Sequence, residues 1–142
     1  MEIKNLTIER KGPYHKLIYV FCIEVDIEGN QMPFMKLGIN PNYKHLANLG
    51  LGLNQSYLVK RELDELERVN NGNIAKHTFA GDDWCIVIYE KEKSTIVNGM
   101  DSFEPFEMES QLIYKFLLDW FNFLKSYEDN KIPGLITNNQ KN

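Results

Sequence analysis

The chain has 142 residues, of which 43% are apolar and 25% charged, and its net charge is −4. That balance suits one globular domain able to bury its own core, and it excludes the high-charge, low-hydrophobicity regime of disordered chains. No window holds the roughly 18 uninterrupted apolar residues of a membrane-spanning helix, and residues 1–5 have no apolar run like that of a signal peptide, so the expected location is the cytoplasm, away from membranes.

The first strand is expected over residues 3–10, closed by the turn residues Lys11, Gly12 and Pro13. A longer strand follows over 17–27. Its odd positions Leu17, Tyr19, Phe21, Ile23, Val25 and Ile27 share one face, while the even ones pass from Ile18, Val20 and Cys22 to Glu24 and Asp26. The first half should therefore be buried on both faces and the second half on one. Glu28-Gly29-Asn30 signals a turn, and residues 32–39 read as the returning strand, with Pro33 suited to an edge or a strand start. These three runs are expected to form one antiparallel sheet.

Residues 40–54 contain a proline and two glycines and read as loop. Over 56–69, Val59, Leu63, Leu66 and Val69 follow helical spacing, with Lys60, Arg61, Glu62, Asp64, Glu65 and Glu67 on the opposite side. Asn70-Asn71-Gly72 can then take the left-handed stop. Three more strands are expected over 74–79, 84–91 and 95–98, the last two joined by the charged turn 90–94. The run Trp84-Cys85-Ile86-Val87-Ile88-Tyr89 is apolar on both faces and belongs in the middle of a sheet.

After an acidic loop, Leu112, Ile113, Phe116, Leu117, Trp120, Phe121, Leu124 and Tyr127 mark the strongest helix. Its aromatic stripe is expected to pack on the sheet rather than line a cofactor pocket. The order β-β-β-α-β-β-β-α predicts an α+β fold: a mostly antiparallel sheet of about five to six strands with two main helices packed on it. One domain should span residues 1–136, followed by a flexible polar tail at 137–142.

No catalytic constellation stands out. Cys22 and Cys85 lie inside apolar runs and read as buried free thiols rather than a disulfide or a nucleophile. His15, His45 and His77 have no Cys or second His at ligand spacing, so neither a metal site nor a thiol–imidazole pair is expected. Gly50-Leu51-Gly52 lacks the third glycine and the preceding strand of a dinucleotide loop, and no cofactor is expected. Carboxylate pairs such as Asp82/Asp83 and Glu107/Glu109 are ordinary surface features as well as conceivable acid–base groups.

Charge placement says more than any motif. Residues 1–81 carry ten Lys/Arg against nine Asp/Glu, whereas residues 82–129 carry four against eleven. In the second half, Asp101, Glu104, Glu107 and Glu109 alternate with Phe103, Phe106 and Met108. Apolar anchors in a field of one sign suit a protein-binding surface for a basic partner; the alternative is a solvated loop whose two phenylalanines tuck inward. Backbone phosphates would be repelled, so direct nucleic-acid binding is not expected.

The run His77-Thr78-Phe79-Ala80-Gly81-Asp82-Asp83-Trp84-Cys85-Ile86-Val87-Ile88-Tyr89, then residues 94–98, then Asp119-Trp120-Phe121-Asn122-Phe123-Leu124 and the ending Ile132-Pro133-Gly134-Leu135-Ile136, resembles the small immunity proteins of bacterial polymorphic-toxin and contact-dependent growth inhibition systems. The resemblance covers residues 77–136. It implies a non-enzymatic protein, kept in the producing cell, that neutralises the toxic C-terminal domain of a secreted effector, often a nuclease with a basic cleft. Taken with the charge distribution, it points to Asp82, Asp83, Asp101, Glu104, Glu107 and Glu109 as partner-binding carboxylates, with Phe103 as an apolar anchor. Two alternatives stay open: a non-enzymatic adaptor or phage accessory module, or a small enzyme in whose cleft His15, His45, His77 and carboxylates converge.

Overall fold

The computed structural model describes residues 5–37 and 43–129. Period-two alternation builds the first sheet from β1 (Asn5–Lys11), β2 (Lys16–Val25) and β3 (Gln31–Leu37), antiparallel and in that order. At the β2–β3 turn the Asp26 carboxylate accepts hydrogen bonds from the Glu28 and Asn30 amides, both at 2.9 Å. Leu17, Tyr19 and Phe21 face the core beside Met35 and Leu37, as the odd-position pattern requires. The even residues Ile18 and Val20 are only half-buried, and Val25 and Ile27 are exposed. Burial on both faces, and its continuation to residue 27, are thus corrected: the second face of β2 is only partly covered, and the hairpin end carries Val25 and Ile27 past the buried cluster into solvent.

The stretch expected as loop contains a 3-10 turn, Tyr43–Leu46, running into α1 (Ala47–Gly52). Six residues are too few for a helical period to show, and two glycines lower the propensity further. Tyr43, Leu46 and Leu49 are buried. A Cβ on Gly52 would lie 2.8 Å from the Gly81 Cα, so the Gly-x-Gly element lets α1 approach the β4–β5 turn at backbone distance. Next, α2 (Ser56–Asn70) buries Val59, Leu63, Leu66 and Val69. It stops in a Schellman arrangement, with the Gly72 amide on the Val69 carbonyl at 3.0 Å and the Asn73 amide on the Arg68 carbonyl at 2.9 Å.

The second sheet consists of β4 (Lys76–Ala80), β5 (Cys85–Glu90), β6 (Lys93–Asn98) and β7 (Phe106–Glu109), antiparallel in sequence order. β5 is interior, as its apolar run requires. β7 lies within the segment expected as acidic loop, where Phe-Glu-Met-Glu alternates over only four residues. The fold is α+β with two main helices, and among the described residues seven strands are divided between two sheets rather than gathered into one. Hairpin partners pair only within each run, and the helices between β3 and β4 separate the two runs.

The last helix, α3 (Ser110–Glu128), packs its aromatic stripe on the first sheet. Ring centroids lie 4.9 Å apart for Tyr19–Phe116, 5.0 Å for Phe21–Trp120 and 5.4 Å for Phe21–Phe123. Phe123 is buried while Phe121 is half-buried at the margin. The Trp120 indole N–H donates to the Leu53 carbonyl at 2.8 Å, which satisfies the polar edge of a fully buried ring. α3 also touches α2, which rests on β4 and β5, so one buried cluster joins both sheets and all three helices. Cys22 and Cys85 are buried and free, and burial pushes the Cys85 thiol up to about 12. No helix among the described residues is long and apolar enough to cross a membrane. The expected strand ends at 3–4 and 38–39, the ending Ile132-Pro133-Gly134-Leu135-Ile136, the domain limit at 136 and the tail 137–142 lie outside the described residues.

Candidate functional site

Residues 81–84 connect β4 to β5 through a tight turn in which the Cys85 amide donates to the Asp82 carbonyl at 3.2 Å. Its two central residues, Asp83 and Trp84, both have positive φ, 59° and 57°. That is the pattern of a type I′ hairpin turn, whose second central position glycine normally occupies. An aspartate tolerates the left-handed region, but for a bulky tryptophan it costs on the order of 1–2 kcal/mol. Trp84 is nonetheless 62% exposed, so burial returns little of that cost.

Asn98, at the end of β6, organises this turn together with the next loop. Its side-chain amide donates to the Asp83 carbonyl at 2.9 Å, while its side-chain oxygen accepts the amides of Met100 and Ser102 at 2.8 and 3.0 Å. The Gly99 amide donates to the Trp84 carbonyl at 2.9 Å. One buried side chain therefore holds Asp83, Met100 and Ser102 around itself. Asp101, between Met100 and Ser102, is also left-handed, at φ 56°. The outcome is a tip bearing two exposed apolar side chains, Trp84 and Met100, with the exposed carboxylates Asp82, Asp83 and Asp101. Among the described residues none of these three carboxylates has an ion-pair partner.

The other expected residues fall in two groups. Glu104 and Glu107 are exposed, and Glu107 stands opposite Thr95 on the edge strand of the second sheet. Phe103 is half-buried, stacked on the His45 ring at 4.0 Å and packed toward Phe106, so it supports the tip from within rather than projecting as an anchor. Burial lowers the His45 pKa, with Lys44 adding to the shift and the Asp83 carboxylate opposing it.

Glu109 leaves the set altogether. It is 6% exposed at the N-terminal end of α3, and its carboxylate accepts the Tyr14 and His15 amides at 2.8 and 3.0 Å and pairs with the His15 ring. Burial alone would raise its pKa, but the His15 side chain and the Tyr14 and His15 amides outweigh that and hold it at about 2. This carboxylate latches the β1–β2 turn to the second sheet and is not available to a partner. The sequence singled out neither Trp84 and Met100 as exposed anchors nor Asn98 as their support. The Asn98-Gly99 dipeptide is a turn marker that could have drawn attention to the latter.

The three histidines are engaged separately: His15 with Glu109, His45 with Phe103, and His77 with Glu62 at 2.7 Å. Among the described residues no group of three or more His, Cys, Asp or Glu side chains is placed to hold a metal ion. An open hollow of about 340 Å³ is lined by Asn70, Lys91, Glu92, Gln111, Tyr114 and Lys115, and another of about 480 Å³ by Asn54, Gln55, Tyr57, Tyr127 and Glu128. Compared with protein-family models, curated proteins and solved structures, the chain matches none.

Proposed function

We propose that this protein is an immunity-type inhibitor that binds the toxic C-terminal domain of a bacterial effector through its acidic tip. The observation that carries this reading is the clustering of Asp82, Asp83 and Asp101, without ion-pair partners among the described residues, around the exposed Trp84 and Met100. Carboxylates held in fixed places stand in for phosphates in a basic cleft, and their field speeds association with a positively charged target. Glu104 and Glu107 extend the same field along the second sheet, and the opposed toxin is of the nuclease type. The fold of such an inhibitor needs no cofactor, and it acts in the cytoplasm of the producing cell.

The test is to mix the purified protein with the toxin domain encoded beside its gene. A complex and loss of toxicity are expected. Replacing Asp82, Asp83 and Asp101 together by lysine should slow association roughly a hundredfold at low salt. Neither a complex nor protection would end this reading.

A further inference from the structure

The two faces of the second sheet are treated differently. Phe79, Cys85, Val87, Tyr89, Ile96 and Met108 join the buried cluster. On the opposite face, strand register sets Ala80, Ile86 and Val97 side by side in one row and Thr78, Ile88 and Thr95 in the next, ending at Glu107. Ile86, Ile88 and Val97 are only half-buried and do not pack against the core cluster.

The tip continues this outward face. A Cβ on Gly99 would lie 3.2 Å from the Trp84 ring and 3.5 Å from the Ile86 Cδ1 atom, so ring and isoleucine border the same spot. Trp84 and Met100, at 62% and 66% exposure, thus stand at the end of an apolar sheet face, with the exposed Asp82, Asp83 and Asp101 in the same two loops and Glu107 closing one of the register rows.

We propose that the toxin domain covers this outward face: Trp84 and Met100 enter its surface as apolar anchors, Ile86 and Val97 form the floor, and a ring of Lys and Arg on the toxin meets the marginal carboxylates. The inference rests on the functional reading above and adds where the affinity resides. Charge selects this occupant over others. A second copy in a two-fold contact would set Asp82, Asp83 and Asp101 against their own images. A nucleic acid or an anionic membrane surface would meet the same repulsion. An apolar centre with a basic rim on a protein suits both halves of the surface, since buried aromatic anchors govern dissociation and rim charges govern association.

The experiment is binding kinetics against the toxin domain encoded beside the gene, at about 50 and 500 mM salt, for Trp84→Gly, Met100→Ser and the triple aspartate-to-lysine variant. Trp84→Gly places the residue a type I′ turn favours, so the turn survives the loss of the ring. Dissociation should quicken roughly tenfold or more for Trp84→Gly and several-fold for Met100→Ser, with association and its salt dependence unchanged. The triple variant should instead slow association and flatten the salt dependence. Radical footprinting should find Trp84 and Met100 protected in the complex. If both apolar variants bind like the parent and neither residue is protected while the triple variant still weakens binding, the docking face is wrong and the acidic reading stands. If none of the variants alters binding, or no complex forms, both are wrong.

Discussion

At the junction of α3 with the first sheet, the Asp119 carboxylate takes two hydrogen bonds from the Arg10 guanidinium, at 2.9 and 2.8 Å, and one from the Tyr19 hydroxyl at 2.5 Å. At the tip of the second sheet, Asp82, Asp83 and Asp101 stand in solvent beside an exposed tryptophan in a left-handed turn. The same functional group serves opposite ends in the two places. Where donors converge on a largely covered carboxylate, it ties elements together; where it stands in solvent without them, its charge is left for something outside the molecule. Local choices at the junction agree with the fold, while those at the tip run against it, with a bulky residue where glycine is favoured and apolar surface left in water. Such disagreements concentrate where a protein meets its ligands.

Asp119→Ala breaks the comparison most forcefully. It strips the buried Tyr19 hydroxyl and the Arg10 guanidinium of their acceptor, and urea unfolding should show a loss of about 3 kcal/mol. A loss below about 1 kcal/mol would place this junction with ordinary surface pairs. Acid should act next in size, through Glu109. Its folded pKa of about 2 lies below the ordinary 4.5, so its contribution is present above pH 4.5 and drains away as the pH falls toward 2. About 2 kcal/mol of stability should go over that window, and Glu109→Gln should remove that part of the pH dependence in unfolding titrations at pH 5 and pH 3.

The tip should respond in the other sense. Reversing Asp82, Asp83 and Asp101 to lysine should lower unfolding free energy by no more than about 1 kcal/mol, since their carboxylates have no ion-pair partner among the described residues and only the left-handed backbone at Asp83 and Asp101 favours aspartate over lysine. A larger loss would mean that the tip carboxylates are structural after all. Trp84→Gly sharpens the contrast at the smallest scale: relief of the left-handed strain should leave thermal stability unchanged or raise it by up to about 1 kcal/mol, although a large apolar side chain has been deleted. A fall of more than about 1 kcal/mol would show that the ring contributes more by packing against Gly99 and Ile86 than its conformation costs.

Much of the fold was legible because its signals are local. The alternation in β2, the central apolar run of β5, the spacing of Val59, Leu63, Leu66 and Val69, and the stripe on α3 each report a repeating face within one segment. Short elements escaped: α1 spans six residues and β7 four, less than the length over which a period can be read. The candidate site was legible in part. The acidic bias of residues 82–129 drew attention to this segment, and Asp82, Asp83 and Asp101 are exposed in it. Phe103 and Glu109 were misplaced, since stacking on His45 and bonding to Tyr14 and His15 depend on residues 58 and about 95 positions away in the chain.

By itself the sequence determined the α+β class, the antiparallel hairpins, the buried helix faces and the sign of the field over the second half, since all of these follow from periodicity and summed charge. The tertiary structure alone decided that the strands divide between two sheets, that Glu109 is a buried latch, and that Asn98 ties the turn carrying Asp83 and Trp84 to the loop carrying Met100 and Asp101. Those outcomes depend on which distant groups come within hydrogen-bonding distance, and proximity of that kind exists only once the chain has folded.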